Sequence, residues 1–338
     1  MKADRTLVAA VGLGMLLAGC ASVPDSRPEG PAGKVAVTSE QAGAVLDRHD
    51  EVRSAADAEL DVEAIEAVET GPLLEATQTQ YRLAEATDEE PPQRSESDNV
   101  RPYSPRFAEY PMWFVATATG AGGDDQVTVR VLTRSSPADE WVAEQAAELG
   151  GVSLPMIRTE DGAVPEPTDE QTGRVQTVLD EVYAFLADGG GDAEADGDAS
   201  DEDGDASDGD GDAAGGLGLA EVSGLASYRT WTEESTIQLE EVTAPEVSCR
   251  TDDRAEVRVL PTESGVLGVA TGLCELRQSL DEDIEGEMTL GGELSALAPE
   301  AGREVTFVSS HPLVVTVPDD GPAQVLSGGW RWASVTMS

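Results

Sequence analysis

Two histidines, three cysteines and 67 carboxylates are the groups in this 338-residue chain with types suited to chemistry. His311 sits in the run SSHPLVV, directly after Ser309 and Ser310. A serine and a histidine suggest a nucleophile and its base, but neighbours in sequence make a triad only when folding brings them to an orienting acid. His49 falls on the apolar stripe of a predicted helix, where a core histidine is the expectation and a catalytic base the alternative. Carboxylate pairs could act as acid and base on a glycosidic bond, but that needs a geometry no spacing supplies. With 67 acidic residues, abundance singles out no pair. The sequence contains no HExxH, GxSxG, P-loop or CxxC. No catalytic residue and no cofactor is therefore expected.

The densest set of hard oxygen ligands lies in DGGGDAEADGDASDEDGDASDGDGDAAGG. Asp188 to Asp212 carries 12 carboxylates, and no Lys or Arg occurs between Arg174 and Arg229. Such a stretch repels itself and has no apolar groups to bury, so residues 188–215 are expected as an acidic disordered linker or loop. The alternative is calcium: Asp192, Glu194, Asp196, Gly197, Asp198, Ser200 and Asp203 fall at positions like those of an EF-hand loop. Position twelve is Asp rather than the usual bidentate Glu, and no helix pattern follows. No metal site is expected, with these residues the weak candidate.

The elements that must position these groups follow from periodicity. TSEQAGAVLDRHDEVRSAADAEL puts Ala42, Val45, Leu46, His49, Val52 and Ala56 at helical spacing, with Thr38 or Ser39 as cap. A second helix follows the Gly71–Pro72 break and carries Leu74, Tyr81 and Ala84. TDEEPPQRSESDNVRPYSPR reads as a polar loop. The period then changes to two: YPMWFVATATG and QVTVRVLTRS form a hairpin, followed by EWVAEQAAEL with Trp141, Ala143 and Gln145 alternating with their neighbours. Residues 38–150 thus read as a first α+β module, helices on one face of an antiparallel sheet.

A second module begins with a connector and helix over 151–187. Val175, Val178, Leu179, Val182 and Leu186 share a face there, and Thr168 with Gln171 forms a capping box. Its β-rich remainder, 216–338, contains the strand-like segments TIQLEEV, AEVRVLP, GVLGVATGLCELRQ, REVTFVSSHPLVVTVP and AQVLSGGWRWASVTM. The fold class expected is α+β in two modules.

The N-terminus bears on location. Lys2 and Arg5 precede an apolar run from Leu7 to Leu17, too short at ~16 Å of helix to cross a bilayer. A basic start, a short apolar stretch and small residues form the pattern of a removable export signal. Leu17, Ala18, Gly19 and Cys20 resemble the lipobox of bacterial lipoproteins. That resemblance implies cleavage before Cys20, with residues 1–19 as signal peptide and Cys20 as the lipid-attachment residue. The alternative is an ordinary signal with an incidental cysteine. Two or more acyl chains give stable attachment. Residues 20–37, rich in Pro, Gly and Ser, read as a flexible tether. Export leaves Cys249 and Cys274 in an oxidising compartment with each other as partner, so they are expected to pair.

VTSEQAGAVLDRHDEV, AVETGPLLEATQTQYRLAEAT, PMWFVATAT and DEWVAEQAAELGGVSLPMI resemble blocks of uncharacterised actinobacterial lipoproteins that carry an extracytoplasmic domain of unknown function. In that family an aromatic stands at the place of His49, which implies a core role. The first module also resembles cystatin-like or NTF2-like rolls, an analogy of fold and not of function. The formal charge of −46 opposes phosphate backbones, so no nucleic-acid partner is expected. The expectation is a lipid-anchored protein on the outer face of the cell membrane that binds an envelope ligand or protein without catalysis. The alternatives are an envelope hydrolase using a carboxylate pair and a structural spacer.

Overall fold

Thr38 starts the first helix, α1 (Ser39–Glu59): its hydroxyl accepts from the Gln41 amide while the Gln41 side chain accepts from the Thr38 amide. This reciprocal cap meets two of the donors a helix start leaves open. Thr168 and Gln171 repeat it at α4 (Asp169–Ala187). Between them come α2 (Val62–Ile65) and α3 (Gly71–Thr87), and α5 (Ser223–Ile237) follows. The strands are β1 (Lys34–Val35), β2 (Ser97–Tyr103), β3 (Arg106–Phe107), β4 (Met112–Gly120), β5 (Gln126–Arg134), β6 (Val142–Gly150), β7 (Glu246–Thr251), β8 (Arg258–Thr262), β9 (Gly265–Ser279), β10 (Glu304–Pro318), β11 (Gln324–Gly328) and β12 (Arg331–Met337). The computed structural model describes residues 33–88, 97–120, 126–188, 217–237, 242–243 and 245–338.

Helices and antiparallel sheets make this an α+β protein. A four-stranded sheet runs β2-β4-β5-β6, and a six-stranded sheet is built on β11-β10-β9-β7, with β12 pairing β10 and β8 pairing β9. Strand alternation sends side chains to opposite faces, so each sheet has two faces to cover. On β4, Phe114, Ala116 and Ala118 pack with Ala42 and Leu46 of α1 and Leu73 of α3. On its other face Val115 joins Val129, Ala147 and Leu149 against Leu260, Leu267, Val269 and Val314 of the six-stranded sheet. That sheet's outer face, Val266, Ala270, Leu313 and Val315, is covered by Val175, Leu179 and Val182 of α4 and by Leu225 and Tyr228 of α5. The result is four layers, helices outside and two sheets inside. The stretches on either side of residue 150 therefore share one apolar core within a compact unit over Gly33–Ser338.

Several local expectations change. The stretch expected as a polar loop contains β2, whose Asp98, Asn99 and Arg101 are exposed. As an edge strand β2 pairs only with β4 and packs just Val100 and Tyr103 against the apolar clusters, so its polar residues mask the alternation; Asn99, at φ 51°, marks a register shift between Asp98 and Arg101. The alternation of Trp141, Ala143 and Gln145 fails. A register shift opposite Val131–Leu132 inserts an extra residue, so Ala143 faces the helices while Gln145 bonds Thr271 of β9 and the Glu256 carbonyl between β7 and β8. The segment TIQLEEV is not a strand through its length: Thr236 and Ile237 end α5, and 238–241 lie outside the described residues. The α5 stripe, with Leu225, Tyr228 and Thr232 buried, went unread behind the acidic stretch. AQVLSGGWRWASVTM forms two strands, because Gly329 and Trp330 separate β11 from β12, and both strands pair with β10. From Lys34 the expected tether is held, since Lys34–Val35 pairs with Arg106–Phe107 and Val37 is buried.

Candidate functional site

His49 and Arg53 of α1 sit one turn apart on the face turned to the sheet, with Asp57 a turn further on. Spacing by four places all three on one line of the helix. Glu69 joins them from the α2–α3 connection, which is pinned to β6 by Thr70 N–H donating to the Ala143 carbonyl at 2.9 Å and Ala143 N–H donating to the Val68 carbonyl at 2.8 Å. Arg130 of β5 approaches from the sheet.

The bonding is dense. Arg53 donates through Nε to Asp57 Oδ1 at 3.2 Å and through Nη1 to Glu69 Oε1. The Tyr81 hydroxyl of α3 donates to Asp57 Oδ1 at 2.6 Å. Arg130 Nη1 donates to Asp50 Oδ1 at 2.6 Å, and the Ser97 amide to Asp50 Oδ2 at 2.8 Å. Buried charges of this kind persist because each is paired and hydrogen-bonded.

His49 is only 5% exposed. Burial pushes its imidazole down to about 4, against the pull of the Asp50 hydrogen bond and with the Arg130 charge adding to the fall. At neutral pH the ring is uncharged. Its Nδ1 lies 3.4 Å from Asp50 Oδ1, and in the tautomer that donates there Nε2 is a bare acceptor. Burial alone would raise the Asp50 carboxyl, but the His49 hydrogen bond and the Arg130 charge hold it well below the usual carboxylate range.

A cavity of about 710 Å³ opens over this cluster, between α1 and the helix-facing ends of β4, β5 and β6. Its wall includes Asp47, Asp50, Glu51, Glu69 and Glu148, the guanidinium residues Arg53, Arg130 and Arg331, and the polar side chains of Ser54, Ser97, Thr119, Gln126 and Thr128. The volume is that of a small-molecule site, although the wall is far more polar than most. Among the described residues no group of three or more His, Cys, Asp or Glu is arranged to hold a metal ion.

Of the groups singled out in the sequence, His49 thus lies at this cavity. His311 is elsewhere and has no exposed surface: its Nε2 is 2.9 Å from Ser309 Oγ, Tyr228 stacks edge-on at 4.6 Å, and burial pushes its imidazole down to about 3. Among the described residues no acid bonds His311, so Ser309 and His311 make a buried polar pair facing α5. Cys249 and Cys274 stand opposite each other on β7 and β9 and are joined as a disulfide. Cys20 and the calcium candidates Asp192, Glu194, Asp196, Gly197, Asp198, Ser200 and Asp203 lie outside the described residues. No described helix is long and apolar enough to cross a membrane.

Sequence reasoning missed Arg53, Asp57, Glu69 and Arg130 because charged residues between apolar positions read as a solvated face. The signal was present in the i, i+4 spacing of His49, Arg53 and Asp57 on the stripe that continues from Ala42 and Leu46.

No curated protein and no solved structure matches the chain. One family does, over residues 34–226, a range that contains every cavity residue named above except Arg331. The chain belongs to that family, which is described as a domain of unknown function, DUF8094.

Proposed function

We propose that this protein is a noncatalytic binding protein of the cell envelope, anchored through a lipid on Cys20 to the outer face of the membrane, which holds a small polar ligand in the cavity under α1. The cavity itself carries the reading. A polar space of about 710 Å³, floored by paired charges between a helix and a sheet, is costly to maintain in a purely structural spacer. The lipobox resemblance at Leu17–Cys20 and the likeness to actinobacterial lipoproteins support the anchor. The arrangement of α1 and α3 on one face of β2-β4-β5-β6 is in keeping with a cystatin-like or NTF2-like roll.

The hydrolase alternative would need a protonated carboxyl near neutral pH. Asp50 is displaced in the opposite direction, so it is not suited to be that acid. The test is a heteronuclear NMR titration of the soluble chain from residue 33 with amines, carboxylates and sugars. A binder should shift resonances of Ser54, Thr128 and Arg130, with a dissociation constant below about 1 mM. A panel that moves none of them would sink the reading.

A further inference from the structure

Two acceptors at the base of the cavity lack a donor. His49 Nε2 and Glu69 Oε2 are buried atoms with no hydrogen-bond partner, in residues only 5% and 1% exposed. The other atoms of both groups are engaged: His49 Nδ1 with Asp50, and Glu69 Oε1 with Arg53 Nη1. His49 Nε2 also lies 3.9 Å from Glu69 Oε1, so with the ring proton on Nδ1 two lone-pair-bearing groups face each other. Buried polar atoms are met in nearly all proteins, and those left unmet mark a missing partner. What fits here is a group with at least two hydrogens to donate.

Charge narrows the choice. Five carboxylates and three guanidiniums line the cavity, and His49 is neutral, so the wall carries a net negative charge. A cationic donor is favoured over a neutral one. The volume far exceeds that of an ammonium ion, and the remaining wall offers the hydroxyls of Ser54, Thr119 and Thr128 and the amide of Gln126.

We propose that the cavity binds a small hydroxylated primary amine, whose ammonium group donates to His49 Nε2 and Glu69 Oε2 while its hydroxyls meet the Ser, Thr and Gln side chains. This rests on the reading of the cavity as a ligand site. A charged donor meeting a buried carboxylate makes the stronger class of hydrogen bond. Protonation of His49 would turn Nε2 from acceptor to donor and direct it at Glu69, so the ligand and a proton compete for the same place.

The experiment compares four probes on the soluble chain by calorimetry and by ¹⁵N NMR of the His49 ring: ethanolamine, choline, glucosamine and glucose. Ethanolamine and glucosamine should bind with dissociation constants below about 1 mM and shift the Nε2 resonance. Choline, which keeps the charge but has no N–H, and glucose, which keeps the hydroxyls but has no ammonium, should bind at least about tenfold more weakly. Glu69→Gln should weaken ethanolamine about thirtyfold or more. If that variant does not fold, the wild-type Nε2 shift decides. Choline equal to ethanolamine, glucose equal to glucosamine, or an unmoved Nε2 would overturn the ammonium assignment and leave the cavity a ligand site. Silence of every cavity resonance with all four probes would overturn both.

Discussion

Arg258 and Glu144 are paired across the two sheets at 2.8 Å, a guanidinium on β8 against a carboxylate on β6, both more than nine-tenths buried. The Arg258 guanidinium also lies over the Trp113 ring, 4.8 Å from its centroid, and donates to Glu256. Removing one member leaves the other charged in the interior, whereas removing both leaves apolar volume. Arg258→Met should therefore lower stability by about 3–5 kcal/mol, and Arg258→Met with Glu144→Leu by clearly less. Urea denaturation of the single and double variants measures this, and equal losses would contradict it.

The Cys249–Cys274 bond joins neighbouring strands across a separation of 25 residues. In the chain-entropy account, closing a loop of that length stabilises by about 3 kcal/mol. Reduction, or Cys249→Ala with Cys274→Ala, should lower the melting temperature accordingly. Nonreducing mass spectrometry of the protein from its host should yield one linked peptide; two free thiols would refute it.

Helix α4 lies close on β9 at Gly268. A Cβ there would come within 2.5 Å of Val175 Cγ1 and 2.9 Å of Val315 Cγ2, both on branched side chains that cannot swing away freely. Gly268→Ala should cost about 1–3 kcal/mol through overpacking. An unchanged urea midpoint would show that α4 can move outward without loss.

Stability should fall with acid before any ordinary carboxylate titrates. The unfolded His49 takes up its proton near 6.5, while the folded ring, facing Asp50 and Arg53 on α1, Glu69 beyond α2 and Arg130 on β5, resists until about 4. The unfolded state thus binds more protons in this window, so the contribution is complete above pH 6.5 and is lost as pH falls toward 4. The loss from His49 is about 3 kcal/mol. His311, sealed against α5, adds to it in the same direction. Thermal melts from pH 7 to 4 should decline for the wild type and decline less for His49→Phe; parallel curves would argue against it.

Labelled fatty acid should enter the protein in its host, and Cys20→Ser should abolish labelling and release the chain from membranes. Membrane retention of an unlabelled Cys20→Ser protein would end the lipoprotein reading.

Local rules carried much of this fold. The caps at Thr38 and Thr168, the stripes of α1, α3 and α4, and the β4–β5 hairpin with Val127, Val129 and Val131 on one face depend on neighbours a few residues apart, so periodicity alone locates them. The edge strand β2 was hidden because only Val100 and Tyr103 pack inward, among exposed polar residues and across a register shift. The extra residue in β6 was hidden because a bulge answers to its partner strand; that one insertion sends Glu144 to Arg258 and Gln145 to Thr271. The cavity was the least legible part. His49 could be placed on a buried stripe from sequence, but its meaning depends on Glu69, which is 20 residues away and fixed by the β6 backbone, and on Arg130, which arrives from the opposite layer. Sequence spacing determines which face of an element is buried; which charges meet inside is decided only when the layers close, because burial makes each charge require a partner wherever in the chain it lies.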